Sequence, residues 1–311
     1  MALSVFRFQA TENPVYKTWI DNLGIRIENV TEPEHIPFLP IGFFKTHTIL
    51  SEKMPATAPL IFTSSGTTGM VQSKHFVSDP SLYEKSYLDA FRHFYGDIKE
   101  YCVLALLPSY LERDGSSLIY MADDLIKKST HPKSGFYLHN YAELISTIQL
   151  LKEQKQKTIL LGVTYALLDI AEQFPLTENP HLIVMETGGM KGKRKEMVRE
   201  ELHEILCNGL GVKKIHSEYG MTELLSQAYS KGDGIFDCPP WMKILIRDTN
   251  DPFSILEQTK SGGINVIDLA NINSCSFIAT QDLGKIHPGN SFEVLGRFDN
   301  SDIRGCNLLV Q

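Results

Sequence analysis

The first two-thirds of the chain alternate short apolar runs with amphipathic segments, and this pattern restricts the possible folds. The apolar runs, typical of strands buried on both faces, lie at residues 60–62, 102–107, 158–163 and 182–185. Apolar residues recur at helical spacing in 141–151 and 198–206, and Gly209 and Gly211 are the expected stops of the second helix. The alternation predicts an α/β region with a largely parallel sheet flanked by helices.

The pattern changes near residue 235. Pro239 and Pro240 are followed by short strand-like runs at 242–247, 264–269, 276–280 and 292–296, with no long amphipathic helix between them. We therefore expect two regions, an α/β region at 1–234 and a β-rich C-terminal subdomain at 235–311. The sequence defines the boundary between the two regions to within several residues.

Composition excludes several classes of protein. The chain has 30 Lys and Arg against 37 Asp and Glu, so a net charge of −7 offers no broad positive field for nucleic acid. Its 42% hydrophobic and 22% charged residues are typical of a globular protein. The five cysteines are scattered without a Cys-x-x-Cys pair, which argues against a disulfide framework and a structural zinc site. Without a signal-peptide pattern or a long apolar run, we expect a cytoplasmic protein with no membrane span.

A run of seven Thr, Ser and Gly residues directly follows the apolar run at 60–62, and Lys74 lies just beyond it. Glycines let a backbone approach a ligand, while free N–H groups and hydroxyls can donate to phosphate oxygens. The glycine spacing does not fit a Walker A loop, which disfavours a P-loop kinase. By composition alone a solvated turn fits as well as a phosphate loop. The run comprises Thr63, Ser64, Ser65, Gly66, Thr67, Thr68 and Gly69.

Three later segments complete a family pattern. They are Met-Glu-Thr-Gly-Gly at 185–189, Ser-Glu-Tyr-Gly-Met-Thr-Glu at 217–223, and Gly-Arg-Phe-Asp at 296–299 with Thr-x-Asp-Leu-Gly at 280–284. With the Thr/Ser/Gly run, this order resembles the adenylate-forming enzymes, a superfamily of acyl-CoA synthetases, peptide-synthetase adenylation domains and firefly luciferase. The resemblance implies their large-domain α/β fold, ATP and Mg²⁺ as cofactors, and activation of a carboxylic acid as an acyl-adenylate.

The resemblance also implies a nucleotide site. The Thr/Ser/Gly run would bind phosphate, and Gly188 and Gly189 would lie along the adenine. Tyr219, followed by Gly220, would border the adenine face, with a half-buried core tyrosine as the alternative. Asp282 would accept hydrogen bonds from the ribose hydroxyls, with an ordinary turn aspartate as the alternative. Arg297 would add charge near the ribose or phosphate, with a surface cation as the alternative.

The catalytic residues implied by the resemblance lie in the same segments. Thr222 would contact the α-phosphate, and Lys74 would supply a movable positive charge. Glu223 would be a Mg²⁺ ligand, because this ion takes one or two carboxylates together with phosphate oxygens. A solvated acid at a helix start is the alternative for Glu223. His75 and His216 could flank the nucleotide, although most histidines near such motifs are structural.

A narrower resemblance concerns the acyl-protein synthetases of bacterial bioluminescence, to which segments 36–45 and 107–118 are similar. No lysine follows Lys285, so the small lysine-bearing domain of the superfamily is expected to be absent. The branch implies a fatty acyl group passed to Cys306 and then to a reductase partner. Arg304 would lower the pKa of the Cys306 thiol, and packing in a terminal strand is the alternative. Cys102 and Cys207 are interpreted as packing residues.

These resemblances predict an enzyme of fatty acid metabolism, a ligase that activates a fatty or aromatic carboxylic acid and transfers its acyl group to a protein. Two alternatives stay open. One is an acyl-CoA ligase or acyltransferase that needs a domain from a partner. The other is a nucleotide-binding pseudoenzyme that keeps the pocket without turnover.

Overall fold

The computed structural model describes residues 1–53, 59–64, 71–108, 115–138, 140–189, 194–195 and 197–298, and the statements below concern these residues. One large mixed sheet organises them, in the order β11-β12-β13-β14-β10-β9-β8-β7-β6-β4-β5, with β1 beside β13. Its strands are β1 (Leu39–Pro40), β4 (Cys102–Leu106), β5 (Gly135–Phe136), β6 (Thr158–Val163), β7 (Leu182–Thr187), β8 (Ile215–Tyr219), β9 (Ala228–Ser230), β10 (Ile235–Asp237), β11 (Met242–Arg247), β12 (Ser261–Asp268), β13 (Phe277–Ile286) and β14 (Phe292–Arg297). A separate hairpin joins β2 (Leu60–Thr63) to β3 (Lys74–Val77).

Helices cover the sheet and several begin at clear capping residues. Asn13, Asp79, Ser116 and Asn140 each accept a backbone N–H at a helix start, an interaction worth about 1 kcal/mol each. None of the described helices has the length and apolar character needed to cross a bilayer. The helices are α1 (Ala2–Glu12), α2 (Pro14–Asn22), α3 (Phe43–Thr46), α4 (Pro80–Tyr95), α5 (Ser117–Ser129), α6 (Tyr141–Glu153), α7 (Thr164–Gln173) and α8 (Arg199–Leu210), with 3-10 turns at Ile27–Asn29, Pro33–His35, Ile98–Glu100 and Leu269–Asn271.

The parallel half of the sheet confirms the predicted α/β class. β5, β4, β6, β7 and β8 are parallel neighbours, and every residue of β4 and β6 is buried. The apolar run at 60–62 was expected to be a buried strand of this kind, and that expectation is wrong. It forms β2, which among the described residues pairs with β3 alone, and 40% of Ile61 is exposed. A run of three apolar residues does not distinguish a core strand from a hairpin edge.

The antiparallel half confirms the predicted β-rich C-terminal part. β8 to β14 pair in antiparallel fashion and continue the same sheet across residue 235. The N-terminal helices pack against this half, where Phe6 and Tyr16 contact the ring of Phe277. Gln9 Nε2 donates to the carbonyls of Asn271 and Ile272 at 2.9 and 2.8 Å. The boundary near residue 235 stays a prediction.

The end of α8 corrects one expected stop and confirms the other. Gly209 lies inside the helix, whereas Gly211 ends it in the left-handed conformation at φ 64°. A Cβ at position 209 would lie 2.5 Å from the carbonyl oxygen of Ala171 on α7. Gly209 therefore permits close helix packing rather than a stop.

Candidate functional site

A cleft of about 810 Å³ opens beside the carboxyl ends of β7 and β8, where ligands bind in open α/β sheets. Residues from all four predicted segments line it. Ser64 comes from the Thr/Ser/Gly run, Gly188 and Gly189 follow β7, and Asp282 and Arg297 come from β13 and β14. Thr63 and the segment from Glu218 to Glu223 complete this set. Ser65, Gly66, Thr67, Thr68 and Gly69 lie outside the described residues.

The start of the Thr/Ser/Gly run is held by hydrogen bonds to Ser73, the residue before β3, and to Gly115. Ser64 N donates to the carbonyl of Ser73 at 3.1 Å, and Ser73 N donates to Ser64 Oγ at 2.9 Å. Thr63 N donates to the carbonyl of Gly115 at 2.8 Å. These contacts anchor the start of the predicted phosphate loop at the cleft wall.

A buried carboxyl occupies one corner of the cleft. Asp282 lies inside β13, opposite Arg297 of β14, so the alternative of a turn aspartate is wrong. Tyr219 Oη donates to Asp282 Oδ2 at 2.9 Å, and Arg297 Nε lies 3.2 Å from Oδ1. Burial raises the pKa of Asp282, and Arg297 and the Tyr219 hydrogen bond offset part of this effect. With 71% of its side chain exposed, Arg297 is screened by water.

Glu223 presents a second buried carboxyl to the cleft. It lies in a turn rather than at a helix start, and only 6% of the residue is exposed, so the alternative of a solvated acid is wrong. Burial raises its pKa, while a hydrogen bond from Ser73 and the charges of Arg297 and Lys45 lower it. Asn271 Nδ2 donates to the Glu223 carbonyl at 2.8 Å, which fixes the backbone at this point.

This carboxyl fits the predicted Mg²⁺ role. A dication beside Glu223 would favour its ionised form and remove the cost of its burial. Among the described residues, no group of three or more His, Cys, Asp and Glu side chains could hold a metal. Phosphate oxygens and water would therefore complete the coordination, as is usual for Mg²⁺.

The structure places Lys45, rather than Lys74, at the cleft. Lys74 is exposed on β3, where His75 and Val77 occupy the buried face, and Lys74 does not line the cleft. Lys45 of α3 does line it. The sequence pattern pointed to Lys74 because it is close to the Thr/Ser/Gly run along the chain. Lys45 is distant from this run in sequence, and the resemblance of segment 36–45, which ends at Lys45, assigned no role to this residue.

The two histidines near the motifs do not line the cleft. His75 is fully buried, and its Nδ1 lies 2.9 Å from the Thr222 carbonyl, to which it donates in the matching tautomer. Burial lowers the pKa of His75 to about 4. His216 Nδ1 lies 3.1 Å from Tyr95 Oη, and burial, with Lys231 and Lys214, lowers its pKa to about 4. His75 thus supports the backbone of Thr222, a residue that lines the cleft.

Sequence reasoning missed Glu218, the residue before Tyr219 on β8. Thr187 Oγ1 donates to its Oε2 at 2.6 Å. Burial raises the pKa of Glu218 to about 7, and the Thr187 hydrogen bond acts in the opposite direction. Along β8 the buried residues alternate with His216 and Glu218. An acidic residue on the less buried face of a strand was the sequence pattern that could have identified Glu218 as a site residue.

Four cysteines lie in the described part of the chain, all with free thiols. Burial raises the pKa of Cys102 to about 11, and of Cys238 and Cys275 to about 12. Burial also raises the pKa of Cys207, so these thiols stay protonated at neutral pH. This agrees with the packing role predicted for Cys102 and Cys207. Cys306 and Arg304 lie outside the described residues, and their roles stay predictions.

No family model and no curated protein matches the chain. Solved structures do. ATP-bound MatB from Rhodopseudomonas palustris matches with a TM-score of 0.56 and 19% identity over 79% of this chain and 50% of its own. O-succinylbenzoate coenzyme A synthetase (MenE) from Bacillus subtilis, in complex with ATP and magnesium, matches with a TM-score of 0.51 and 17% identity over 76% and 49%.

A third solved structure matches over more of its length. 2-Hydroxyisobutyryl-CoA ligase, in complex with 2-HIB-AMP and CoA, gives a TM-score of 0.66 and 12% identity over 96% of this chain and 73% of its own. The chain spans about half the length of MatB and MenE. These likenesses confirm the predicted fold, that of the adenylate-forming enzymes, with its large sheet, flanking helices and β-rich C-terminal part.

Proposed function

We propose that this chain activates a carboxylic acid with ATP, forming an acyl-adenylate and releasing pyrophosphate. The observation that carries the proposal is the meeting of four distant segments, at 63–64, 187–189, 218–223 and 280–298, in one cleft. The similar structures include ATP-bound MatB, a coenzyme A synthetase bound to ATP and magnesium, and a CoA ligase bound to 2-HIB-AMP and CoA, which supports the same chemistry.

Different residues of the cleft would bind different parts of the nucleotide. Asp282, fixed by Tyr219, would accept hydrogen bonds from the ribose hydroxyls. Gly188 and Gly189 would lie along the adenine, because they offer backbone without side chains. Ser64, with the predicted loop that follows it, would donate to the phosphates. Thr222 would contact the α-phosphate, where the attack takes place.

The reaction brings two anions together, so positioning and charge compensation carry most of the catalysis. A carboxylate oxygen of the acid attacks the α-phosphorus, the bond to the β-phosphate oxygen breaks, and pyrophosphate leaves with the electron pair. Lys45 at the cleft wall would offset the negative charge. Mg²⁺, when bound through Glu223 and the phosphates, would neutralise charge on the leaving pyrophosphate.

The narrower part of the proposal concerns the acid and the acceptor. We propose a fatty or aromatic acid and transfer of its acyl group to Cys306. The thiolate would attack the acyl carbon, and AMP would leave as a thioester forms. A reductase or another protein would then collect the acyl group. Coenzyme A is the second candidate acceptor, supported by the CoA in the complex of 2-hydroxyisobutyryl-CoA ligase.

Pyrophosphate release tests the proposal. The protein is incubated with ATP, Mg²⁺ and a panel of fatty and aromatic acids, with and without coenzyme A. We expect acid-dependent release that Asp282→Asn reduces at least tenfold, because a carboxylate hydrogen bond of about 1.5–3 kcal/mol is weakened. The matched control, Asp21→Asn on the exposed face of α2, should leave the rate unchanged. A nucleotide-induced thermal shift without pyrophosphate release from any acid would favour the pseudoenzyme alternative.

A further inference from the structure

Two polar side chains meet on one wall of the cleft, beside Gly220. A Cβ at Gly220 would lie 2.3 Å from Glu218 Oε1 and 3.4 Å from Gln227 Cγ, so both side chains lie against this glycine. Only 3% of Gln227 is exposed, and this residue lines the cleft. The wall therefore presents a carboxyl and a carboxamide at the same place.

Both groups have acceptor capacity left over. Glu218 Oε2 receives the hydrogen bond from Thr187, but no donor among the described residues reaches Oε1. Gln227 Oε1 is buried and also lacks a partner in the described part of the chain. A buried acceptor without a donor costs about 1–3 kcal/mol, and such groups are rare in native structures. Gln227 Oε1 is such a group, and Glu218 Oε1 lies against the same glycine at the cleft without a donor from the described residues. Together the two oxygens indicate that a ligand supplies donors here.

Apolar and aromatic side chains also line the cleft, together with Ser116 and Ser117. Tyr83, Leu118 and Met121 line the cleft from α4 and α5. Burial raises the pKa of Tyr83 and of Tyr229 on β9, and the nearby charge of Glu218 acts in the same direction. The Asp282 and Arg297 corner belongs to β13 and β14, on a different part of the sheet. The Glu218 wall thus suits the organic part of an acid rather than the nucleotide.

We propose that Glu218 and Gln227 select a carboxylic acid whose organic part carries a hydrogen-bond donor, a hydroxyl or an amino group. This inference rests on the proposed function and specifies its substrate class. An amino or ammonium group at this wall has enough N–H bonds to donate to both Glu218 Oε1 and Gln227 Oε1, whereas a hydroxyl would donate to one of them. An acid without a donor would leave both oxygens unpaired, and sites built to bind a donor strongly reject such analogues.

Matched pairs of acids test the inference. Hexanoate, decanoate, benzoate and phenylacetate are each compared with their hydroxy and amino derivatives, substituted at several positions, by kcat/KM for pyrophosphate release. We expect at least one derivative to exceed its parent acid by about tenfold or more. Glu218→Leu should reverse this preference, because an apolar side chain leaves the substrate donor unpaired. Glu204→Gln on α8, exposed and outside the cleft lining, is the matched control and should keep it.

The conservative variant Glu218→Gln separates the two donors and covers the case in which the leucine variant does not fold. Its amide oxygen still accepts a hydrogen bond, so preference for a hydroxyl should persist. Preference for an ammonium group should fall, because the negative charge is gone. If the wild type releases pyrophosphate with some acid but does not prefer the hydroxy or amino derivatives, this inference is overturned and the proposed function stands. No release with any acid overturns the proposed function and this inference with it.

Discussion

Glu218 should reduce the stability of the empty protein at neutral pH, and Glu218→Gln should restore it. Burial raises the pKa of this carboxyl to about 7, from an ordinary value of 4.5. Between these values the folded state binds more protons than the unfolded state, so stability falls as pH rises through this window. Below pH 4.5 the carboxyl is protonated in both states and costs nothing. Above pH 7 the cost is constant.

The size of the effect follows from the two pKa values. Their separation corresponds to about 3 kcal/mol for the ionised carboxyl in the fold. The side chain lines an open cleft, and water there screens part of this cost. We therefore expect Glu218→Gln to stabilise the protein by about 2 kcal/mol at pH 8 and by nearly nothing at pH 4.5. The glutamine oxygen can still accept the hydrogen bond from Thr187.

Urea unfolding at pH 4.5, 6 and 8, without ligands, measures the difference. The control Glu204→Gln removes an exposed carboxyl and should change stability little at any of these pH values. A gain for Glu218→Gln that is the same at pH 4.5 and pH 8 would refute the reasoning, because it would not come from titration. So would a loss of stability at pH 8.

Three further predictions concern other residues. Glu223→Gln should abolish Mg²⁺-dependent pyrophosphate release while calorimetry shows AMP binding largely intact, because AMP lacks the outer phosphates that share the ion; equal loss of both would mark Glu223 as structural. The folded-state pKa of His75, about 4, lies below its ordinary 6.5, so stability should fall by up to about 3 kcal/mol as pH drops from 6.5 to 4. His75→Asn should flatten this dependence in urea unfolding, and the exposed control His93→Asn should not. Labelled fatty acid and ATP should leave a hydroxylamine-sensitive label on the wild type and none on Cys306→Ser; label retained on the variant would move the acceptor elsewhere.

The central strands of the fold were predictable because each of them is a recognisable apolar run in the sequence. β4, β6 and β7 are buried on both faces, so each is a continuous apolar run that periodicity detects directly. The left-handed turn at Gly211 was predictable for a similar reason, since it follows the last apolar residue of a helical pattern. Gly209 is also a glycine near the end of this pattern, and only the position of Ala171 on the neighbouring helix shows that its role is different.

Contacts between distant parts of the chain were not predictable from one sequence. The packing of Gln9 against residues 271 and 272 joins segments more than 250 positions apart, and no local pattern encodes it. The cation at the cleft is Lys45 for the same reason, because β3 turns Lys74 to solvent while α3 brings Lys45 to the site. The family motifs located Asp282 and Glu223 without showing that both are buried.

Among the described residues, three carboxyls line the cleft, and burial raises the pKa of each: Glu218, Glu223 and Asp282. Arg297 offsets only part of this cost at Asp282 and Glu223, because 71% of its side chain is exposed to water. Each carboxyl therefore favours a ligand that brings positive charge or donors to its place. In the proposed reaction these are Mg²⁺ at Glu223, the ribose hydroxyls at Asp282, and the donor of the acid at Glu218. Because the three ligands relieve three separate costs, the complete set of substrates should stabilise this cleft more than any one of them does.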